Sequence, residues 1–196
     1  HFDQIIPRIR TDEDRAEMLY GDMGQAVEVS GGSAGNTAAG VASLGGRAAY
    51  FGKVKADQLG AIYRHDMRAQ GVRFDSLPAN AGPATARSFI LVTPDGERTM
   101  NTYLGACVNL TTDDIDQDIV ADSKVTYMEG YLWDRPEAKE AFKRAAAISR
   151  KAGRMTSITL SDSFCVERHR DSFLELIRKD IDIVFANETE IKSLYQ

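Results

Sequence analysis

The chain has 196 residues, 43% of them hydrophobic and 27% charged, with a net charge of -5 and a pI near 5.3. That is enough apolar content for one globular core or a large piece of a bigger one, and the interleaving of acids and bases excludes the basic face that nucleic acid or an anionic membrane requires. Cys107 and Cys165 are too few for a disulfide framework and lack metal-ligand spacing, no apolar run nears the roughly 20 residues that cross a bilayer, and the polar start at 1–15 is no signal peptide, so a reducing, cytoplasmic setting is expected.

Acids in its opening turn and Gly24 after its end predict a first helix over 12–23, with no strand ahead of it. An apolar-alternating run at 26–29 leads into Gly31-Gly32-Ser33-Ala34-Gly35-Asn36-Thr37-Ala38, and 37–44 reads as a helix of small residues able to pack close to a sheet. A mostly buried strand follows at 47–54, then a helix capped by Asp57 and stopped by Gly71. The stretches 85–93 and 98–104 flank Pro94-Asp95-Gly96-Glu97 and predict a β-hairpin, of the kind that serves as a flap. Alternation then resumes: strand 125–129, helix 136–151 with Pro136 in its first turn, strand 157–160, helix 168–179, strand 181–186 and a helix from Glu188. Strands separated by helices of this length imply right-handed crossovers and a mainly parallel sheet.

Two chemistries compete for the glycine turn. Gly31-x-Ser33-x-Gly35 matches the nucleophile elbow of α/β-hydrolases, and Asp162 with His169 would complete the Ser, Asp, His order. Against it, His169 lies in a polar helix start and stands too close in sequence to Asp162 for the usual intervening helix and strand. The other reading takes the glycine amides as a donor nest and Asn36 as a carboxamide that grips vicinal hydroxyls, although the glycines can equally serve close helix packing alone. No Walker loop is present. Asn187-Glu188-Thr189-Glu190 is a capping box by spacing, and it also places a carboxamide and a carboxylate at a strand end, where they could order water around Mg²⁺ and phosphates. On the hairpin, Asn101 and Tyr103 share one face and Met100, Thr102 and Leu104 the other; Arg98 could meet a phosphate, and the aromatic run around Tyr131 could pack in a core or stack on a flat ring.

Together these motifs resemble the ribokinase-like (PfkB) carbohydrate kinases, in the branch that holds bacterial adenosine kinases and sugar kinases. The resemblance runs from about Val27 to Gln196 and is carried by four stretches in family order: the glycine turn, Gly45-Gly46 to Phe51-Gly52-Lys53-Val54, Gly96-Glu97-Arg98-Thr99-Met100-Asn101-Thr102-Tyr103-Leu104-Gly105-Ala106, and Asp182 to Glu190. It implies a three-layer αβα domain with a mainly parallel central sheet and a small β lid at about 85–104. It implies ATP-dependent phosphorylation of a nucleoside or sugar hydroxyl. Gly32, Ser33 and Asn36 would hold the acceptor, Asn101 and Tyr103 would line it from the lid, Tyr131 and Phe164 would border its base or ring, and Asn187, Glu190 and Arg98 would organise Mg²⁺ and phosphate without direct metal ligation. A homodimer through the hairpin falls within the family's repertoire. The family's catalytic aspartate, in a Gly-Ala-Gly-Asp motif, is absent from this chain, so the base is expected outside it and the 196 residues are expected to be part of a domain, inactive alone. Lys55 stands where the first signature usually closes with glycine. A sugar kinase, a Ser33 hydrolase and a non-catalytic binding module remain the alternatives.

Overall fold

In the computed structural model, which describes residues 8–196, Arg8–Arg10 form strand β1 ahead of helix α1 (Glu13–Asp22). This corrects the expectation that no strand precedes the first helix. Three residues carry no readable alternation, and β1 exists because it pairs in parallel with a strand 92 residues further along, Arg8 opposite Met100. Helix α1 starts where Asp12 accepts the Arg15 amide at 2.8 Å, satisfying a donor that has no partner inside the helix.

Helix α2 (Ser33–Ser43) follows the glycine turn, starting four residues earlier than its composition suggested. Then come β2 (Ala48–Ala49), α3 (Gln58–Ala69), β3 (Val72–Arg73), and the hairpin β4 (Arg87–Val92) and β5 (Arg98–Tyr103). The second half runs α4 (Gln117–Asp122), β6 (Val125–Glu129), α5 (Pro136–Lys151), β7 (Met155–Thr159), α6 (Ser163–Asp180), β8 (Ile183–Phe185) and α7 (Glu188–Tyr195). Helix α6 is broken at His169, whose φ of -131° is not helical.

The described strands form three sheets, ordered β1-β5-β4, β2-β3 and β6-β7-β8, parallel throughout except between β4 and β5. The expected parallel sheet is therefore present in two pieces. The apolar-alternating run at 26–29 forms no strand, because an extended segment is a strand only when a neighbour pairs with it, and Val27 and Val29 stand 89% and 82% exposed.

Packing separates into matching regions. The β6-β7-β8 body buries Met128, Ile158, Leu160, Phe173 and Leu176, with Trp133 stacked 5.5 Å from Phe173 and its indole N–H on Ser172 Oγ at 2.7 Å. A second cluster of Val54, Met67, Val72 and Phe74 lies under α2 and α3 and takes in Tyr50 and Tyr63. The hairpin sheet packs Phe89 and Tyr103 against Ala16 of α1. At the hairpin root the Thr85 amide and hydroxyl both donate to Asp57, at 2.9 and 2.6 Å, and the same carboxylate caps α3 through the Gly60 amide. Gly105 closes the root on the other side: its φ is +48°, and a Cβ there would sit 2.1 Å from the Ala84 carbonyl. No helix among the described residues is long and apolar enough to cross a membrane.

Candidate functional site

Parallel pairing sets Glu129, Thr159 and Phe185 side by side at the carboxyl ends of β6, β7 and β8. In an open α/β sheet the crevice beyond these ends is where ligands bind. Helix α2 packs against β6, which brings the glycine turn to the same place, and there the Thr37 hydroxyl donates to the Ser33 carbonyl at 2.9 Å.

The glycine turn is built by backbone demands. Gly32 caps α2 at φ +90°, a conformation that disfavours any side chain although the space beside it is open. Gly35 is required for the opposite reason: its φ is ordinary, but a Cβ would lie 2.3 Å from Tyr63 Oη. Asn36 donates its amide to the Gly32 carbonyl at 2.8 Å and leaves its side chain exposed beside the turn. Gly32 and Asn36 are both exposed at the start of α2.

Glu129 is the residue that sequence reasoning missed. Its carboxylate is only 7% exposed; Tyr127 donates to Oε1 at 2.9 Å and Ser161 approaches Oε2 at 3.4 Å. Burial pushes its pKa up, against the hydrogen bonds from Tyr127 and Ser161 that favour the charged form. Tyr127 is in turn pushed up to about 12, first by burial and then by the Glu129 charge. The signal was available: a lone acid closes an otherwise uncharged strand, just before a glycine. That glycine, Gly130, has no room for a Cβ, which would lie 2.8 Å from the Thr159 carbonyl.

Tyr131 follows, half-buried, with its amide on Ser161 Oγ at 3.1 Å and its phenol on the Ser161 carbonyl at 2.7 Å. Phe164, in the first turn of α6, is 68% exposed. Asn187 and Glu190 form the capping box completely: the Asn187 amide and carboxamide donate to the two Glu190 oxygens at 3.1 and 2.9 Å, and the Glu190 amide returns a bond at 2.9 Å. Both partners spend their polar atoms on each other, which suits them to brace the end of β8 and to order water, not to ligate an ion directly.

The hairpin residues are not all where the alternation placed them. Asn101 and Tyr103 face α1: Tyr103 is buried, donates to Glu13 at 2.7 Å, and lies beside Phe89, which meets Tyr20 at 6.4 Å. The expectation that these two line a ligand is corrected, because the amphipathic helix α1 claims their face. The other face carries Met100 and Thr102 and turns toward the body, since Arg10, paired opposite Thr102, forms an ion pair with Asp134 in the turn after β6. Arg98 is exposed at the distal end of β5, opposite Val92.

No hydrolase triad assembles. His169 Nε2 lies 2.6 Å from Asp134, and the Asp162 carboxylate caps α6 at the Cys165 amide. Asp134 collects Arg10, Arg168 and His169; although burial pushes the other way, these partners hold its pKa down to about 2. Cys107 is pushed up to about 11 by burial, so its thiol stays protonated at neutral pH.

A family profile described as pfkB family carbohydrate kinase matches residues 2–196. The crystal structure of adenosine kinase from Sinorhizobium meliloti is 64% identical, with a TM-score of 0.91 over 96% of this chain and 58% of that one. A probable sugar kinase protein from Rhizobium etli CFN 42 is 61% identical, with a TM-score of 0.92 over 98% of this chain and 59% of that one. A fructokinase from Solanum tuberosum is 27% identical over 133 residues, 67% of this chain and 42% of that protein. The chain therefore spans little more than half the length of the solved relatives and less than half of the potato enzyme.

Proposed function

Because the chain belongs to the pfkB family of carbohydrate kinases, we propose that the protein containing it transfers the γ-phosphate of ATP to a hydroxyl of an adenosine-like nucleoside, with these residues forming the acceptor side of the site. The observation that carries this reading is at the carboxyl ends of the strands: the buried Glu129 carboxylate closes β6, Tyr131 follows directly after it, and α2, which opens with the exposed Gly32 and Asn36, packs against the same strand. Exposed polar groups near aromatic side chains suit a molecule with a ribose at one end and a flat base at the other.

In this reading Gly32 and Asn36 hold the acceptor hydroxyls. Ser33, at the first position of α2, lines the turn beside them. Transfer removes the hydroxyl proton to a base, forms the new phosphorus–oxygen bond, and breaks the bond from γ-phosphorus to the bridging oxygen, releasing ADP. The base of the family's Gly-Ala-Gly-Asp motif is not among these 196 residues. Mg²⁺ would neutralise charge on the transferring phosphate, and the Asn187–Glu190 cap fits a role in ordering its water shell. A cytoplasmic setting is part of the same reading.

The test is a substrate panel on the full-length protein in a coupled assay for ADP. Adenosine is the expected acceptor, and Asn36→Ala should lower kcat/KM for it by about tenfold or more, the worth of one good hydrogen bond. A sugar acceptor is the second reading, favoured by the fructokinase relative and by the probable sugar kinase at 61% identity. Turnover of fructose or ribose but not adenosine would select it, and ATP-independent hydrolysis would sink both.

A further inference from the structure

Ser161 is the one non-glycine residue among those described with a left-handed backbone, at φ +74°, between the end of β7 and the Asp162 cap of α6. A serine held there is uncommon, and such strain persists only where the surroundings impose it. The surroundings do impose it. Its Oγ accepts the Tyr131 amide at 3.1 Å, its carbonyl accepts the Tyr131 phenol at 2.7 Å, and its hydroxyl points between Glu129 Oε2 at 3.4 Å and the Thr159 carbonyl at 3.5 Å. Both approaches are long, so the hydroxyl hydrogen is shared between a carboxylate and a carbonyl, and the charged acceptor is the stronger of the two. Gly130 supplies the clearance, since a Cβ there would lie 3.1 Å from Ser161 Oγ.

One residue thus touches the two groups that border the crevice from different sides, the ring of Tyr131 and the carboxylate of Glu129. An ordinary right-handed backbone at 161 would aim the carbonyl and the hydroxyl elsewhere. We infer that Ser161 is a positioning residue for the acceptor, its left-handed conformation locking the Tyr131 ring and the Glu129 carboxylate into one arrangement before the ligand arrives. This deepens the kinase reading and rests on it for the identity of the acceptor.

The test uses Ser161→Gly and Ser161→Asn in the full-length protein. Glycine adopts φ +74° more easily than serine, so loss of folding is not expected; asparagine tolerates the same backbone and restores a polar atom. Three readouts are taken: affinity for adenosine, or for fructose if the panel selects it, by calorimetry without ATP; separate KM values for acceptor and ATP; and hydrogen exchange at the Tyr131 amide. Ser161→Gly should weaken acceptor affinity and raise its KM by about tenfold while leaving the KM for ATP and the melting temperature unlowered, and should speed Tyr131 exchange by a similar factor. Ser161→Asn should recover most of the acceptor affinity. Unchanged acceptor affinity in Ser161→Gly, or equal rises in both KM values with a lowered melting temperature, would overturn the inference. Absence of ATP-dependent turnover in the wild-type protein would remove the kinase reading alone, because amide exchange and acceptor affinity still report on Ser161.

Discussion

The body sheet β6-β7-β8 buries Trp133, Phe142, Ile158, Leu160 and Phe173 in continuous apolar contact, whereas the hairpin sheet buries Phe89 and Tyr103 over Ala16 and depends otherwise on polar ties: Tyr103 to Glu13, Arg87 to Glu17, and Arg10 to Asp134. The difference is physical in kind. Apolar burial is undirected and insensitive to salt, while ion pairs with an exposed member contribute little and are screened. Arg10 is 56% exposed and Glu17 63% exposed, so both ties belong to the weak class. The strand ends carrying Glu129 therefore rest on the more tightly packed of the two regions.

The sharpest way to break this contrast is in the body sheet. Phe173→Ala should cost about 3–5 kcal/mol, read as a lower urea midpoint for the whole body, and a cost below about 1 kcal/mol would show that the body is not the tightly packed region. Phe89→Ala should cost about 2–3 kcal/mol in the opening of β4 and β5 by hydrogen exchange while β6 and β7 keep their protection. Equal losses in both sheets would mean that the two regions are one unit. Asp134→Asn should weaken attachment of the hairpin by about 0.5–1 kcal/mol at low salt and by much less at about 1 M salt. The pH dependence follows from the sign of its shift. With a folded pKa near 2 against about 3.9 in the unfolded chain, the Asp134 carboxylate contributes stability that is present above pH 4 and lost as pH falls through 2. The Asn variant should flatten the stability slope in that window. The smallest effect belongs to Glu129→Gln. A carboxyl whose folded pKa is raised contributes most when protonated and loses that contribution as pH rises through the folded value, so the amide should leave stability at pH 7 unchanged or higher, within about 1 kcal/mol, while acceptor binding falls.

Most elements were legible because their signals are local. Asp12, Asp57, Pro136 and Asn187 mark helix starts, and Pro94 to Glu97 mark the hairpin turn. What was missed depends on distant partners. Strand β1 exists only through β5, β3 only through β2, and the extended chain at 26–29 lacks the neighbour that would make it a strand. The short helix α4 carries its own Asp116 cap but only six residues, too few for a periodic pattern to show. At the site, the glycine turn and the Asn187–Glu190 box were readable as chemistry, and Tyr131 as a ring beside them. Glu129 was hidden by the aromatic run that surrounds it. Asn101 and Tyr103 were misplaced because alternation fixes which residues share a face and not which face a helix will cover.

The bonds at the hairpin root have a mechanical consequence. Asp57 holds Thr85 by two bonds and begins α3, and α3 carries Tyr63, whose hydroxyl sets how closely α2 can approach through Gly35. The hairpin root and the glycine turn therefore stand on one footing, and a displacement at Thr85 would be transmitted through α3 and Tyr63 to the helix that begins in the turn.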